Sequence, residues 1–185
     1  MSLSEGNLIH RAVAGERGAF ALLVKRYEAP IYHSIFKIVR DHDQAVDITQ
    51  QAFISAFENL STYNPNFRFF SWLYRIARND AVNCFHQKKN SQPLDQFELP
   101  SSDPSPEESY LDKERDEIIN RAISRLEFNY RVVLVLRHYL EFSYAEIAGI
   151  LNLPLSTVRS RIHTARLLLR DELTQRLAQQ ELTMV

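Results

Sequence analysis

The stretch 142–169, FSYAEIAGILNLPLSTVRSRIHTARLLL, predicts a helix, a tight turn and a second helix. Ser143 and Glu146 have the spacing of a capping box, in which each side chain accepts from the other residue's backbone N–H. Asn152 tolerates the left-handed turn conformation, and Pro154 is suited to opening the next helix because it lacks a donor. The buried face predicted for the second helix consists of Val158, Ile162, Ala165 and Leu169.

The polar side of this second helix offers Ser, Thr, Arg and His near its N-terminal end. Such side chains on a short helix are what reading the DNA major groove requires. Two short helices around a turn also occur as a plain helical hairpin with a solvated basic face. Residues 142–169 alone do not distinguish these two interpretations, whereas features elsewhere in the chain do.

Composition favours an all-α globular protein. The 185 residues are 45% hydrophobic and 24% charged, with only 4 glycines, and strict apolar–polar alternation is scarce. Cys84 is the single cysteine, so no internal disulfide is possible. We see no secretory signal and no apolar run of membrane-spanning length, and we expect a soluble cytoplasmic protein without membrane insertion.

The net charge of −1 hides a division along the chain. Residues 1–92 carry +3, residues 93–117 carry −7 and residues 118–185 carry +3. Because affinity for DNA comes mainly from phosphate neutralisation, a chain this neutral should bind free DNA poorly unless a partner helps.

Segment 90–106 is an acidic linker by composition, since it holds four prolines, four serines and no basic residue. The sequence Ser105-Pro106-Glu107-Glu108 then has the order of a helix start. These signals predict two small helical domains, 1–89 and 107–176, joined by the flexible linker 90–106 and followed by a tail, 177–185.

The first domain is predicted to hold four helices. The first covers Leu8 to Glu28 with a break at Gly15, the second begins at Pro30, the third covers Asp43 to Leu60, and the fourth runs from about Phe70 to Gln87. The buried stripe predicted for the third helix consists of Ala45, Val46, Thr49, Ala52, Phe53, Ala56, Phe57 and Leu60. Its opposite face consists of Asp47, Gln50, Gln51, Ile54 and Glu58.

Six aromatic residues fall between positions 63 and 74, interleaved with arginines. One interpretation is that most of them, Trp72 and Tyr74 above all, belong to the core. The other is a stacking platform for unpaired bases, with arginine supplying phosphate and cation–π contacts. Asn79 and Asn83 would then provide hydrogen bonds to the captured strand.

Three segments now stand in order: QAVDITQQAFISAFENL (44–60), FFSWLYRIARNDAVN (69–83) and YAEIAGILNLPLSTVRSRIHTAR (144–166). Together they resemble the extracytoplasmic-function (ECF) group of bacterial RNA polymerase sigma factors. The resemblance extends from about Leu8 to Leu173 and covers the two domains of that group, region two and region four.

The resemblance implies an alternative sigma factor that binds core RNA polymerase and directs promoter-specific initiation. It implies that the third-helix face, Asp47, Gln50, Gln51, Ile54 and Glu58, docks on the β′ clamp helices, with the β flap as a second polymerase contact. Many relatives have Glu at the position of Gln51. The acidic linker would thread the polymerase interior toward the RNA exit path.

The resemblance also assigns promoter contacts. The residues implied for capture of the minus-ten strand are Tyr63, Asn64, Phe67, Arg68, Trp72, Arg75, Asn79 and Asn83. The residues implied for the minus-thirty-five duplex are Arg137, Tyr144, Ser156, Thr157, Arg159, Ser160, His163 and Thr164. Relatives commonly have an aromatic residue and an arginine where His163 and Thr164 stand, which should change promoter preference. An anti-sigma factor is a further implied partner, one that in this group can retain the protein at the inner membrane.

Two other classes compete with this interpretation. A stand-alone helix-turn-helix regulator with an N-terminal sensor or dimerisation domain explains the C-terminal half, but not the aromatic and arginine-rich segment. An enzyme is disfavoured because no Gly-rich phosphate loop or nucleophile motif occurs. The histidines are scattered, and Cys84 with His86 supplies only two ligands. We therefore expect no catalytic residue, no cofactor and no metal.

Overall fold

The structure, a computed structural model, describes residues 4–91 and 110–183, with side chains described for 4–83 and 118–175. Every regular element in those ranges is helical, as predicted. The chain divides into two compact units, unit 1 (Met1–Glu98) and unit 2 (Leu99–Val185). Among the described residues, no helix has the length and apolar character needed to span a lipid bilayer.

The described residues of unit 1 form four α-helices and one 3₁₀ turn. They are α1 (Glu5–Val13), α2 (Arg17–Val39), α3 (His42–Glu58), the 3₁₀ turn (Leu60–Thr62) and α4 (Phe69–Ser91). The predicted break at Gly15 is confirmed: its φ of +92° is a conformation that glycine adopts without strain. At the start of α3, the Asp41 side chain accepts from the Gln44 backbone N–H at 3.0 Å.

The prediction that a helix begins at Pro30 is wrong, because α2 continues through it. An interior proline costs a helix about 3 kcal/mol through one lost hydrogen bond and a steric clash. Pro30 is exposed, while Ile31 and Ile35 just after it are fully buried. Burial of the helix on both sides of the proline outweighs the local cost.

The core of unit 1 forms where α2 packs against α1, α3 and α4. Its fully buried side chains include Leu23, Ile31, Ile35, Ile38, Ala45, Ala52, Phe69, Leu73 and Tyr74. This packing fixes the outward direction of α3 and of the N-terminal half of α4, the two helices that carry predicted site residues.

Unit 2 contains the predicted helix-turn-helix. Its elements are α5 (Tyr110–Arg125), α6 (Phe128–Leu134) continued by a π-helical turn (Val135–Tyr139), α7 (Tyr144–Leu151) and α8 (Leu155–Thr183). The capping box is present in full at the start of α7. Asn152 takes the left-handed conformation with φ 52° and ψ 50°, as predicted. Pro154 precedes α8 rather than opening it, and its carbonyl accepts the first backbone bond, from Val158, at 3.1 Å.

Three of the four residues predicted for the buried face of α8 are buried. Val158, Ile162 and Ala165 are almost completely buried, whereas Leu169 is half-buried. The Ser105–Glu108 start signal and most of segment 90–106 lie outside the described residues.

Candidate protein and nucleic-acid interfaces

The exposed face of α3 brings together all five residues predicted to dock on the polymerase. They recur at helical spacing and all are exposed: Asp47, Gln50, Gln51, Ile54 and Glu58. The opposite side of the same helix is buried through Ala45, Ile48 and Ala52. A firmly packed helix therefore presents one apolar and four polar side chains outward, which is the mixed character of a protein-binding surface.

Phe57 corrects one sequence prediction. It was placed in the buried stripe of α3, but it is 44% exposed. Its ring meets the edge of Phe20 with centroids 5.0 Å apart. The two rings line a shallow depression together with Phe53, Ile54 and Glu58, so the α3 face has an apolar neighbour that sequence reasoning missed. Helical periodicity could not find it because Phe20 comes from α2.

The loop between the 3₁₀ turn and α4 is held in one shape by local hydrogen bonds. The Tyr63 hydroxyl donates to the Phe67 carbonyl at 2.6 Å, and Asn64 accepts from the Asn66 backbone N–H at 2.9 Å through its side chain. The Phe67 N–H donates to the Asn64 carbonyl at 3.1 Å. This arrangement leaves the Phe67 ring 65% exposed at the loop tip.

Trp72 and Tyr74 lie in the core, the first of the two interpretations offered above. Trp72 is 7% exposed, and Tyr74 is fully buried. The Trp72 ring packs 5.6 Å from Tyr63 and 5.5 Å from Phe69, measured between centroids. In this conformation Trp72 supports the loop from below, and its assignment to the minus-ten strand stays a prediction.

The remaining minus-ten residues lie on the surface of unit 1. Arg75, Asn79 and Asn83 are exposed and recur every four residues along α4, which places them in one row. Asn64 and Arg68 are exposed in the loop that leads into the same helix, and Tyr63 is half-buried. The predicted set is thus gathered on one loop and the first half of the helix after it.

Two polar groups near this row show the effect of burial. Asp80 carries one oxygen, Oδ2, that is buried without a hydrogen-bond partner, and burial raises the pKa of this carboxyl above its usual range. For Tyr63, burial and the nearby Glu5 carboxylate raise the pKa of the phenol. Tyr63 therefore stays a hydrogen-bond donor at neutral pH.

The start of α8 exposes four of the residues predicted to read duplex DNA. They are Ser156, Arg159, Ser160 and His163. Thr157 and Thr164 are half-buried. The Ser160 hydroxyl donates to the Thr157 carbonyl at 3.0 Å, which leaves its oxygen free to accept.

Arg137 and Tyr144 meet beside the helix-turn-helix. The Arg137 guanidinium lies over the Tyr144 ring, 5.4 Å from its centroid. One of its nitrogens, Nη1, donates to the Phe142 carbonyl at 3.0 Å. A cation held in this way loses little further side-chain entropy when it meets a phosphate.

Buried Arg131 has a different role. Its Nη2 donates to the carbonyls of Ser124 and Leu126, at 2.8 and 3.1 Å. These bonds tie the end of α5 to α6 and support the frame on which α7 and α8 pack. Within the described residues, no group of three or more His, Cys, Asp or Glu side chains could hold a metal ion.

Comparison with known proteins gives two family matches. The model of sigma-70 region 2 matches residues 23–91, and that of sigma-70 region 4 matches residues 116–169. These ranges contain α3, the loop, α4 and the helix-turn-helix described above.

Curated relatives match over most of their length. The ECF RNA polymerase sigma factor SigW of Bacillus subtilis is 34% identical over 176 residues, which cover 89% of this chain and 94% of SigW. The ECF RNA polymerase sigma-E factor of Escherichia coli K12 is 34% identical over 175 residues, covering 89% and 91%.

Solved structures show the same fold. RpoE of Bartonella quintana, solved with the anti-sigma factor NepR, matches with a TM-score of 0.71 at 20% identity, over 84% of this chain and 96% of that one. CnrH, solved with the cytosolic domain of CnrY, matches with a TM-score of 0.69 at 22% identity, over 91% and 96%. The chain therefore belongs to the ECF sigma factors of the sigma-70 family and is an alternative sigma factor.

Proposed function

We propose that this sigma factor divides promoter recognition between its two units. Unit 1 docks on core RNA polymerase through the exposed α3 face and captures the minus-ten strand with its loop and α4. Unit 2 grips the minus-thirty-five duplex through the helix-turn-helix and contacts the polymerase β flap. The observation that carries the proposal is that every predicted contact residue except Trp72 is at least partly exposed on its own unit.

Docking through α3 is supported by the chemistry of its surface. Asp47 and Glu58 supply negative charge, while Ile54 and the neighbouring Phe57 supply exposed apolar area. Buried apolar area gives a protein interface affinity, and charge at its rim gives orientation and specificity. We assign the β′ clamp helices as the partner of this face.

Strand capture is supported by the shape of the loop. Extruding a base from its stack costs a few kcal/mol. Stacking on an aromatic ring returns about 1–3 kcal/mol per base. Phe67 is the ring offered at the surface, and Asn79 and Asn83 offer amides on the adjoining helix. Local hydrogen bonds already constrain this loop, which reduces the entropy lost on capture.

Duplex recognition follows the usual geometry of a helix-turn-helix, in which residues at the start of the second helix meet base edges in the major groove. Arg159 can make a bidentate contact with guanine. Ser160, whose hydroxyl proton is donated to the Thr157 carbonyl, can accept a hydrogen bond. His163 and Thr164 then set a promoter preference of their own.

The near-neutral charge suits a subunit that does not search for DNA alone. With a net charge of −1, the chain contributes little non-specific affinity. Core polymerase would supply most phosphate contacts, and the acidic linker 90–106 would lie in a polymerase channel built for RNA. We assign the protein no catalytic residue and no cofactor of its own.

An anti-sigma factor is proposed as the regulator. RpoE and CnrH, which share this fold, were each solved with a partner protein. The partner would compete with polymerase or promoter for the faces described here. Depending on whether that partner is membrane-bound, it would hold the protein in the cytoplasm or at the inner membrane.

The test combines reconstitution with matched variants. The purified chain is mixed with bacterial core polymerase and fragmented genomic DNA, and new transcript starts are mapped. Starts that share two upstream elements at fixed spacing support the proposal. Sequence-specific binding by the chain alone, without core binding or new starts, would instead identify a stand-alone helix-turn-helix regulator.

The variants separate the two roles of unit 1. Asp47→Arg and Gln50→Arg should weaken core binding at least tenfold, whereas Glu28→Arg, on exposed α2 surface outside the face, should not. Asn83→Ala should slow promoter opening while leaving core binding intact. Unchanged core binding by both α3 variants would show that the docking face is elsewhere.

A further inference from the structure

Four exposed side chains form a stripe along α8. Arg159, His163, Arg166 and Arg170 are spaced by four, three and four residues, so they share one face of the helix. The sequence prediction stopped at Thr164. The stripe continues beyond it, and Arg166 is the next cation on the side that carries Arg159 and His163.

Arg166 is held by a residue of another element. Its Nε and Nη2 both lie 3.3 Å from Nε2 of His138, in the π-helical turn that follows α6. A guanidinium has only donors, so the imidazole nitrogen between them must be the acceptor, and its proton must be on Nδ1.

The surroundings of His138 favour this neutral form. Burial lowers the pKa of its imidazole, and the charges of Arg166 and Arg137 lower it further. Near neutral pH the ring is therefore uncharged. It restrains the Arg166 side chain and leaves the positive charge of that side chain intact.

Two other arginines of unit 2 each have a carboxylate partner. Arg170 lies 3.2 Å from the Asp171 carboxylate, and Arg125 lies 2.7 Å from that of Glu172. Within the described side chains of unit 2, Arg166 has no carboxylate partner. It is thus a restrained cation with its full charge on the proposed DNA side of α8.

Helix geometry indicates what this cation would meet. Arg166 lies seven residues after Arg159, which is about 10 Å along the axis at 1.5 Å per residue. In a helix-turn-helix the N-terminal residues of the second helix contact base edges in the major groove. A side chain about 10 Å further along the axis lies beyond those residues, where the groove is bordered by phosphates.

We propose that Arg166 contacts a backbone phosphate of the upstream promoter duplex and that His138 is its positioning residue. The proposal rests on the proposed function of unit 2. A phosphate contact carries no sequence information, so Arg166 would contribute affinity and register rather than promoter choice.

The test uses polymerase holoenzyme reconstituted with the full chain. The probes are duplexes taken from promoters recovered by start mapping, with and without a scrambled upstream element. Dissociation constants are measured between 50 and 200 mM salt. A plot of log affinity against log salt concentration has a negative slope, and Arg166→Gln should make that slope shallower by about one. Its affinity deficit should therefore be roughly threefold larger at 50 mM than at 200 mM, on both probes.

Three further variants make the test specific. Arg170→Gln removes the same charge from the same stripe, but it should change the slope less than Arg166→Gln does, because Arg170 already has the Asp171 carboxylate as a partner. His138→Gln keeps a neutral acceptor and should behave as wild type, whereas His138→Leu should weaken binding. In the Arg166→Gln background, His138→Leu should have no further effect.

The outcomes separate the two proposals. An unchanged slope for Arg166→Gln, or an equal change for Arg170→Gln, overturns the phosphate contact while the sigma activity of the wild type stands. A full effect of His138→Leu in the Arg166→Gln background overturns the positioning role. Failure to recover any promoter with the wild type is a failure of the proposed function itself.

Discussion

The Tyr63 hydroxyl donates a 2.6 Å hydrogen bond to the carbonyl of Phe67 and thereby closes the loop that carries the most exposed large apolar side chain of the described residues. The bond joins a ring packed on the core to a ring that points into solvent. Because Tyr63 packs against Phe69 and Trp72, the bond anchors the proposed base-capturing loop tip to the core.

Tyr63→Phe should therefore slow promoter opening without unfolding unit 1. A net hydrogen bond is worth about 1 kcal/mol, or roughly fivefold in rate. The rate of open-complex formation by holoenzyme measures the effect. Tyr32→Phe is the matched control, since it also removes a phenolic hydrogen bond, to His42 at 2.8 Å, but away from the loop. Equal rates for the two variants would deny the loop bond a role.

Phe67→Ala should reduce opening more strongly than Tyr63→Phe, because it removes the stacking surface itself. The expected loss is about 1–3 kcal/mol. Since the ring is 65% exposed, unfolding by urea should change by less than about 0.5 kcal/mol. Val13→Ala, which truncates another exposed apolar side chain of unit 1, serves as control. Normal opening by Phe67→Ala would leave capture to other residues.

Pro30→Ala should stabilise unit 1. The variant restores a backbone hydrogen bond inside α2 and relieves a clash, together worth about 3 kcal/mol. About 1 kcal/mol of this gain is offset, because alanine makes the unfolded chain more flexible. Urea unfolding followed by circular dichroism should show a net gain of about 2 kcal/mol, with Glu28→Ala unchanged. A loss of stability would show that the helix is shaped around the proline.

Asp80→Asn should stabilise unit 1 at neutral pH and have little effect in acid. Because burial raises the pKa of Asp80 in the folded state, the folded protein holds this proton more tightly than the unfolded chain. Stability then falls as pH rises from the ordinary Asp pKa through the raised one, and the penalty persists above it. Urea unfolding at pH 4 and pH 7 measures the difference. A constant offset between wild type and variant at both pH values would contradict this origin.

The helix-turn-helix was predictable because its signals are local. The Ser143–Glu146 capping box and the left-handed conformation of Asn152 depend only on residues close in sequence, so tertiary packing does not change them. The same holds for the break at Gly15.

The errors lie where distant packing decides. Pro30 is a strong local helix breaker, yet the buried residues Leu23, Ile31 and Ile35 lie on the same side of α2 before and after it. Phe57 has the spacing of a core residue, but none of the described helices of unit 1 covers its outer side. Irregular contacts such as Tyr63–Phe67 and Arg166–His138 join loop or element ends, and no periodic pattern indicates them.

Trp72 is the only tryptophan in the chain, and it is buried against Tyr63 at the base of the loop. Its indole therefore provides an intrinsic optical probe in unit 1. A base that displaces Tyr63 or Phe67 changes the surroundings of the indole, and its emission should respond. With a tryptophan-free partner that covers the loop, docking on unit 1 could be followed in real time without attaching a dye.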